Sequence, residues 1–266
     1  MLILLSPAKN LNFDAVPGAP KPTKPALLKD TAELAETTRK LTKGKLKSLM
    51  KISDALAATN HERFQAFRAD MKAPGAKQAA LAFNGDVYWG LDAKTLDTED
   101  LKFAQDHVRI LSGLYGLLRP LDAIEPYRLE MGSALKNPRG KNLYDFWGDR
   151  IAKEINKALK THDDRTVVNL ASKEYFSAVD LESLNARVVT PNFRDEKDGK
   201  LRTLQFFAKR ARGAMARAAA QKRITSAEDL KALVIDNYKF KAKLSSDDEW
   251  VFTRPQPAPK TKGKKA

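Results

Sequence analysis

The chain has 266 residues, is 42% hydrophobic and carries a formal net charge of +15. That is enough apolar material for a sizeable core, and a balance that favours polyanionic partners, nucleic acid first, through counterion release. It has no cysteine, which excludes a disulfide framework, a thiolate metal site and a cysteine nucleophile, and no apolar stretch is long enough to span a bilayer, so no membrane partner is expected and the cytoplasm is the default compartment.

In chain order, Met1-Leu2-Ile3-Leu4-Leu5 lacks a basic leader and reads as a buried strand ending in Ser6-Pro7-Ala8-Lys9. A loop with Pro17, Pro20, Pro22 and Pro25 precedes helical patterns predicted over 26–41, 44–58 and 60–70. The run Arg39, Lys40, Lys43, Lys45, Lys47 and Lys51 reads first as a solvated helix face. Pro74-Gly75 marks a turn before the segment 79–90. Leu101, Ala104, Val108 and Leu111, with Phe103 and Ile110 one step off, predict a helix capped at Thr98 and stopped by Gly113. Gly116 then opens a second short apolar run that Pro120 curtails. Two glycines around Leu114-Tyr115 leave backbone N–H groups uncovered, which serves equally as a phosphate cradle or a tight helix-packing corner. Tyr127, Arg128 and Glu130 alternate along an extended segment, so Arg128 and Glu130 share one side.

The second half predicts a helix reaching about 160, a strand at 166–171, and a strand at 187–190 closed by Pro191. Asp198-Gly199 is a hairpin signal, with 201–207 as the returning strand. A helix rich in alanine and arginine follows over 208–221, and Trp250-Val251-Phe252 is a last strand. Arg254, Lys260, Lys262, Lys264 and Lys265 stand without an acid among prolines, the composition of a disordered basic tail over 254–266. Interleaved strands and helices, with no repeat and no linker, predict one compact α/β domain over 1–253, a mixed α+β sheet with surrounding helices.

Common catalytic signatures are missing: there is no Gly-x-Gly-x-x-Gly, no P-loop around Gly44-Lys45 and no Gly-x-Ser-x-Gly. His61, His107 and His162 share no ligand spacing, so neither a metal nor another cofactor is expected. The basic positions say more. Between Lys200 and Arg223 stand eight Lys or Arg residues and no acid. Lys209 and Arg212 share one face of the predicted helix, Arg210 and Arg217 another, while Ala208, Ala211, Met215 and Ala218 form its apolar stripe. Arginine at that density points to phosphate binding. Polar groups also gather where strands end: Ser6 and Lys9 after the first, Asn169, Ser172 and Lys173 around another. Ligands collect beyond strand carboxyl ends in such sheets, so Ser6, Lys9, Arg128, Ser172, Lys209 and Arg212 are expected to converge on an anionic-ligand cleft.

The segments 6–9, 83–90, 111–132, 143–148, 169–176 and 209–213 resemble signatures of the bacterial YaaA family, and the resemblance covers nearly the whole chain except the tail. It implies a cytoplasmic protein induced by peroxide stress that limits oxidative damage by restraining free iron. It also implies DNA binding and a helix-hairpin-helix element, mapping onto Gly113-Leu114-Tyr115-Gly116, beside a positively charged cleft. Two functions are thus expected. One is largely sequence-independent DNA binding by Gly113, Leu114, Tyr115, Gly116, Arg119, Lys209, Arg210, Arg212 and Arg217, with Tyr115 or Trp89 free to stack on an unpaired base. The other is an enzyme acting on a phosphorylated or nucleotide-like small molecule, with Lys9, Glu130 and Ser172 as catalytic candidates. Without cysteine, peroxide reduction by a thiol is excluded.

Overall fold

Residues 1–70 and 73–257 are described by the structure, a computed structural model. In chain order the first half forms β1 (Leu2–Leu5), β2 (Asn10–Leu11), α1 (Leu28–Arg39), α2 (Lys43–Met50), α3 (Asp54–Ala66), β3 (Lys77–Gln78), α4 (Ala79–Ala82), β4 (Phe83–Asn84), α5 (Asp86–Leu91), α6 (Thr98–His107), β5 (Val108–Ser112), β6 (Gly116–Leu118) and β7 (Ala123–Ile124). The second half adds α7 (Leu143–Trp147), α8 (Arg150–Leu159), β8 (Val167–Leu170), α9 (Lys173–Phe176), β9 (Val188–Lys197), β10 (Lys200–Arg202), α10 (Gln205–Gln221), β11 (Lys239–Phe240) and β12 (Glu249–Pro255).

Eight strands make one mixed sheet in the order β11-β12-β9-β8-β1-β5-β6, with β10 paired to β9. The inner ladders are parallel: β1 pairs β5 through Ile3↔Val108 and β8 through Ile3↔Val168. Every residue of β1 and β8 is buried, as expected for parallel strands flanked on both edges and covered on both faces. α8 lays Ile151, Ala152, Ile155 and Leu159 inward, the spacing of one apolar stripe. The chain is a single α/β domain. β1 has β5 on one side and β8 on the other, so the connections leave in opposite directions there. Such a reversal opens a crevice outside the strand carboxyl ends.

α10 and α5 pack backbone against backbone. A Cβ on Gly213 would lie 1.7 Å from the Val87 carbonyl oxygen, and one on Gly90 would lie 2.0 Å from that of Arg210. Only glycine permits this approach, which fixes how α10 lies over the crevice.

The glycine hairpin is a β-hairpin and not a helix-hairpin-helix. α6 stops at His107, Val108–Ser112 joins β1, and Gly116–Leu118 returns antiparallel through Ser112↔Gly116. The helical spacing of Leu101, Ala104, Val108 and Leu111 is outweighed by pairing in the core, where a strand buried on both faces shows no alternation. Gly116 has φ +68°, and a Cβ there would meet the Trp147 ring at 2.7 Å. The α6 cap is Asp97, which accepts from Asp100 N at 2.7 Å, one residue before the expected Thr98.

Other boundaries moved for local reasons. Lys51 at φ +50° ends α2, and Ser53 caps α3, splitting the predicted 44–58 helix. Pro191 does not close its strand: β12 pairs β9 from Thr190 to Glu196, and since Thr190 N faces β12 the Pro191 nitrogen faces β8, which pairs only as far as Val189, so the missing N–H costs no ladder bond. Asp198-Gly199 makes the expected turn, both with positive φ, but the returning strand ends at Arg202, and Phe206 and Phe207 lie in the first turn of α10, which begins at Gln205. The expected tail begins too early at 254. Arg254 is a buried β12 residue whose Nε donates to Asp195 at 2.8 Å, while residues 258–266 lie outside the described residues. Among the described residues, no helix is long and apolar enough to cross a membrane.

Candidate anion-binding site

The carboxyl ends of β1 and β8 lie side by side, and the loops that leave them are joined. Ser172 N donates to Ser6 Oγ at 2.8 Å, and the Ser6 and Ser172 hydroxyls are 3.3 Å apart. Tyr88 from α5 donates its hydroxyl to the Ser6 carbonyl at 3.1 Å. Asn169 folds its side chain back to accept from Ala171 N, shaping the turn after β8.

Arg212 enters this corner from α10. Its Nη1 donates to the Ala171 carbonyl at a long 3.4 Å, and its Nε is buried with no hydrogen-bond partner. Among the described residues no carboxylate lies within ion-pair distance of it, and burial alone pushes the guanidinium below its ordinary value. The side chain is half-buried, but a donor shielded from water and left unused is costly unless something anionic completes it.

The other side of the crevice is an ion-pair network. Lys9 Nζ lies 3.1 Å from Glu130 Oε2, and Arg128 Nη2 donates to Glu130 Oε1 at 2.9 Å. The extended segment after β7 alternates as expected, with Tyr127 and Leu129 inward and Arg128 and Glu130 outward. Beneath it the Ser112 and Tyr127 hydroxyls are 2.6 Å apart. Burial pushes the phenols of Tyr88, Tyr127 and Tyr175 well above their ordinary value, so they stay neutral. The Glu130 carboxylate adds a smaller push in the same direction on Tyr175.

Ser6 and Ser172 thus meet directly, Arg212 reaches the Ala171 carbonyl next to them, and Lys9, Glu130 and Arg128 form a separate ion-pair network. Lys209 is exposed one turn before Arg212, with no carboxylate within 4 Å among the described residues. Arg210 faces Asp236 at 3.7 Å. Arg217 is a structural residue: its Nη1 donates to the carbonyls of Leu91 and Asp92, satisfying the end of α5.

The hairpin residues leave the expected interface. Gly113, Leu114, Tyr115 and Gly116 are all buried, and Tyr115 is 1% exposed. Its backbone N donates to Ser112 Oγ and its hydroxyl accepts from Glu125 N, so it has no face for a base. Gly113 packs under the segment above it, where a Cβ would lie 2.3 Å from the Leu129 carbonyl oxygen. The glycines are therefore a floor beneath Arg128 and Glu130, the packing-corner alternative.

Arg119 lies at the other end of the sheet, because β6 runs back toward the amino end of β5. There it clamps the buried Asp122 at 2.9 Å beside a cavity of about 590 Å³. Lys24, Arg109, Glu154, His107 and His162 also line that cavity. Burial pushes Arg109 down to about 10, and its Nη1 caps α6 at the Gln105 and Asp106 carbonyls. The two histidine rings are 4.4 Å apart, each with Nδ1 on the Met1 carbonyl. Sequence spacing hid this pairing and the roles of Tyr88 and Tyr175, since each depends on which strands become neighbours.

The chain is similar to known proteins over nearly all of its length. The model of the family described as peroxide stress protein YaaA matches residues 1–244. A UPF0246 protein of Maricaulis maris is 58% identical over 266 residues, covering all of both chains. One of Caulobacter vibrioides (strain NA1000 / CB15N) is 56% identical over 97% of this chain and all of its own. One of Ralstonia pickettii is 52% identical over 96% of this chain and 99% of its own. With a family match over residues 1–244 and a relative 58% identical over the full length, the chain belongs to the peroxide stress protein YaaA family.

Proposed function

We propose that the chain serves the peroxide-stress response by binding a phosphorylated, nucleotide-like ligand in the crevice at the carboxyl ends of β1 and β8. The observation that carries this reading is Arg212, a half-buried guanidinium with a buried, unpartnered Nε and no carboxylate, held at the Ala171 carbonyl next to the Ser6 and Ser172 pair. Arginine presents a planar fork to phosphate oxygens, and hydroxyls supply the remaining donors. Lys9 and Arg128 add positive charge at the rim, with Glu130 holding both side chains in place. Among the described residues no imidazole or carboxylate hydrogen-bonds either serine hydroxyl. The site is therefore read as holding an anion, with no activated serine nucleophile. Limiting iron-dependent damage is read as a consequence of this binding.

Titration with inorganic phosphate and AMP, followed by thermal melting, tests the reading. A ligand at 100 times its Kd stabilises by about 2.7 kcal/mol. Saturable stabilisation is expected for the native chain, and its loss for Arg212→Gln. No stabilisation of the native chain by either compound refutes it.

Sequence-independent DNA binding is the second reading, favoured by the net charge of +15 and the exposed Lys209 and Arg210. It predicts affinity that falls steeply with salt. Affinity unchanged between low and moderate salt removes it.

A further inference from the structure

Two large aromatic side chains stand exposed in contact with each other at the rim of the crevice. Trp89 is 54% exposed and Phe206 is 47% exposed, with ring centroids 6.4 Å apart. Water-exposed aromatic surface is unfavourable unless something covers it. Trp89 is not loose: its indole N–H donates to Asn84 Oδ1 at 2.8 Å. Phe206 rests on Phe207 at 5.3 Å, and Phe207 carries the buried Arg254 guanidinium on its ring. The pair is a held surface.

Its position on α10 connects it to the anion site. Phe206, Lys209 and Arg212 follow one another at three-residue spacing, so they form one slanted ridge across the helix. The ridge rises about 9 Å from Phe206 to Arg212. Phe206 is exposed, Lys209 is exposed without an ion pair among the described residues, and Arg212 turns to the Ala171 carbonyl next to Ser172. From the other side, Trp89 N donates to the Gly85 carbonyl, and a Cβ on Gly85 would lie 3.1 Å from Ala8 Cβ, so the Ser6–Lys9 loop adjoins the base of α5. Aromatic surface, free cation and half-buried guanidinium thus follow one another along the ridge.

We infer that Trp89 and Phe206 form a stacking platform for a nucleobase whose phosphate is held by Lys209 and Arg212, which makes the ligand a nucleoside monophosphate, free or at the end of an unpaired strand. The inference rests on the proposed anion site and names what that site selects. Stacking tolerates any base because every base has a π-face, while the cations along the ridge match the phosphate. Ribose 5-phosphate shares the phosphate and lacks the base, so the two claims separate.

The test uses tryptophan fluorescence of the full chain. Trp147 and Trp250 are fully buried, so quenching by an added ligand reports on Trp89. AMP is expected to quench saturably, and ribose 5-phosphate to compete for the site without quenching and with weaker affinity. Phe206→Ala keeps the reporter and is expected to weaken AMP by about tenfold while leaving ribose 5-phosphate unchanged. Trp89→Phe is expected to abolish the signal with the melting temperature preserved. A short single strand that quenches where AMP does not assigns the platform to a strand end and still supports it; a blunt duplex is expected to leave Trp89 unquenched. Equal affinity for AMP and ribose 5-phosphate with no quenching overturns the platform and leaves the anion site standing. Failure of both to bind overturns the two together. Quenching that tracks protein concentration instead of nucleotide assigns the aromatic pair to self-association and overturns the inference.

Discussion

Replacing Arg212 with methionine separates a ligand-binding cation from a structural one by the sign of the stability change. In the free protein the guanidinium makes one hydrogen bond, the 3.4 Å contact to Ala171, and leaves Nε buried and unpaired. An unsatisfied buried polar group costs about 1–3 kcal/mol, and a long neutral-acceptor bond returns about 0.5–1 kcal/mol. Methionine fills similar length with no donor to satisfy. Arg212→Met is therefore expected to stabilise the free chain by about 1 kcal/mol, raising the melting temperature by about 2–4 °C at this size. The same variant is expected to lose the stabilisation that phosphate confers on the native chain. Calorimetric melting with and without phosphate measures both numbers. A variant that melts several degrees lower without ligand refutes the reasoning, because Arg212 then anchors α10 to β8 and has no spare capacity for an anion.

Three further outcomes follow from the same geometry. Burial, with smaller contributions from His107 and neighbouring cations, pushes His162 down to about 4. A histidine depressed below its ordinary value of about 6.5 binds its proton more readily unfolded, so its contribution is complete above pH 6.5 and is lost as pH falls towards 4. The loss is about 1–2 kcal/mol after allowing for solvent screening of a half-exposed ring; melting temperature against pH measures it, and His162→Gln should flatten that window. Gly213→Ala drives a Cβ into the Val87 carbonyl and is expected to cost about 3 kcal/mol or more in urea unfolding, whereas Gly44→Ala in α2 meets nothing within 4 Å and should gain about 0.5–1 kcal/mol. Equal effects at the two glycines would contradict the tight α5–α10 contact. Arg254→Met leaves Asp195 buried without its cation and is expected to cost about 3–5 kcal/mol, partly recovered by adding Asp195→Leu. A neutral Arg254→Met would return residue 254 to the tail.

The placement of several candidate-site residues was legible before any fold was known. Strand ends rich in Ser, Lys and Asn marked Ser6, Lys9 and Ser172, and the alternation at 127–130 put Arg128 and Glu130 on one side. The arginine helix was legible as well, yet its members proved unequal: Arg212 turns inward, Arg210 meets Asp236, and Arg217 closes α5. Residue type and spacing name the face of a helix, not what lies opposite it. The glycine hairpin shows the same limit. Gly113 and Gly116 signalled close backbone approach, and both are crowded, but by Leu129 and Trp147 and not by a phosphate.

By itself, the sequence determined the family, the α/β class, the two central apolar strands, the Asp198-Gly199 turn and the excess of positive charge. These are local or compositional properties, set by hydrophobic periodicity, turn chemistry and residue counts. Tertiary structure alone decided that Val108–Ser112 is a strand, that Pro191 sits harmlessly inside one, and that β5 and β8 flank β1 on opposite sides. It also decided that Trp89 and Phe206, far apart in the chain, share one exposed corner. Each depends on which backbone edges and helix faces become neighbours, and burial then overrides local preference because removing apolar surface from water outweighs the small free energies of propensity.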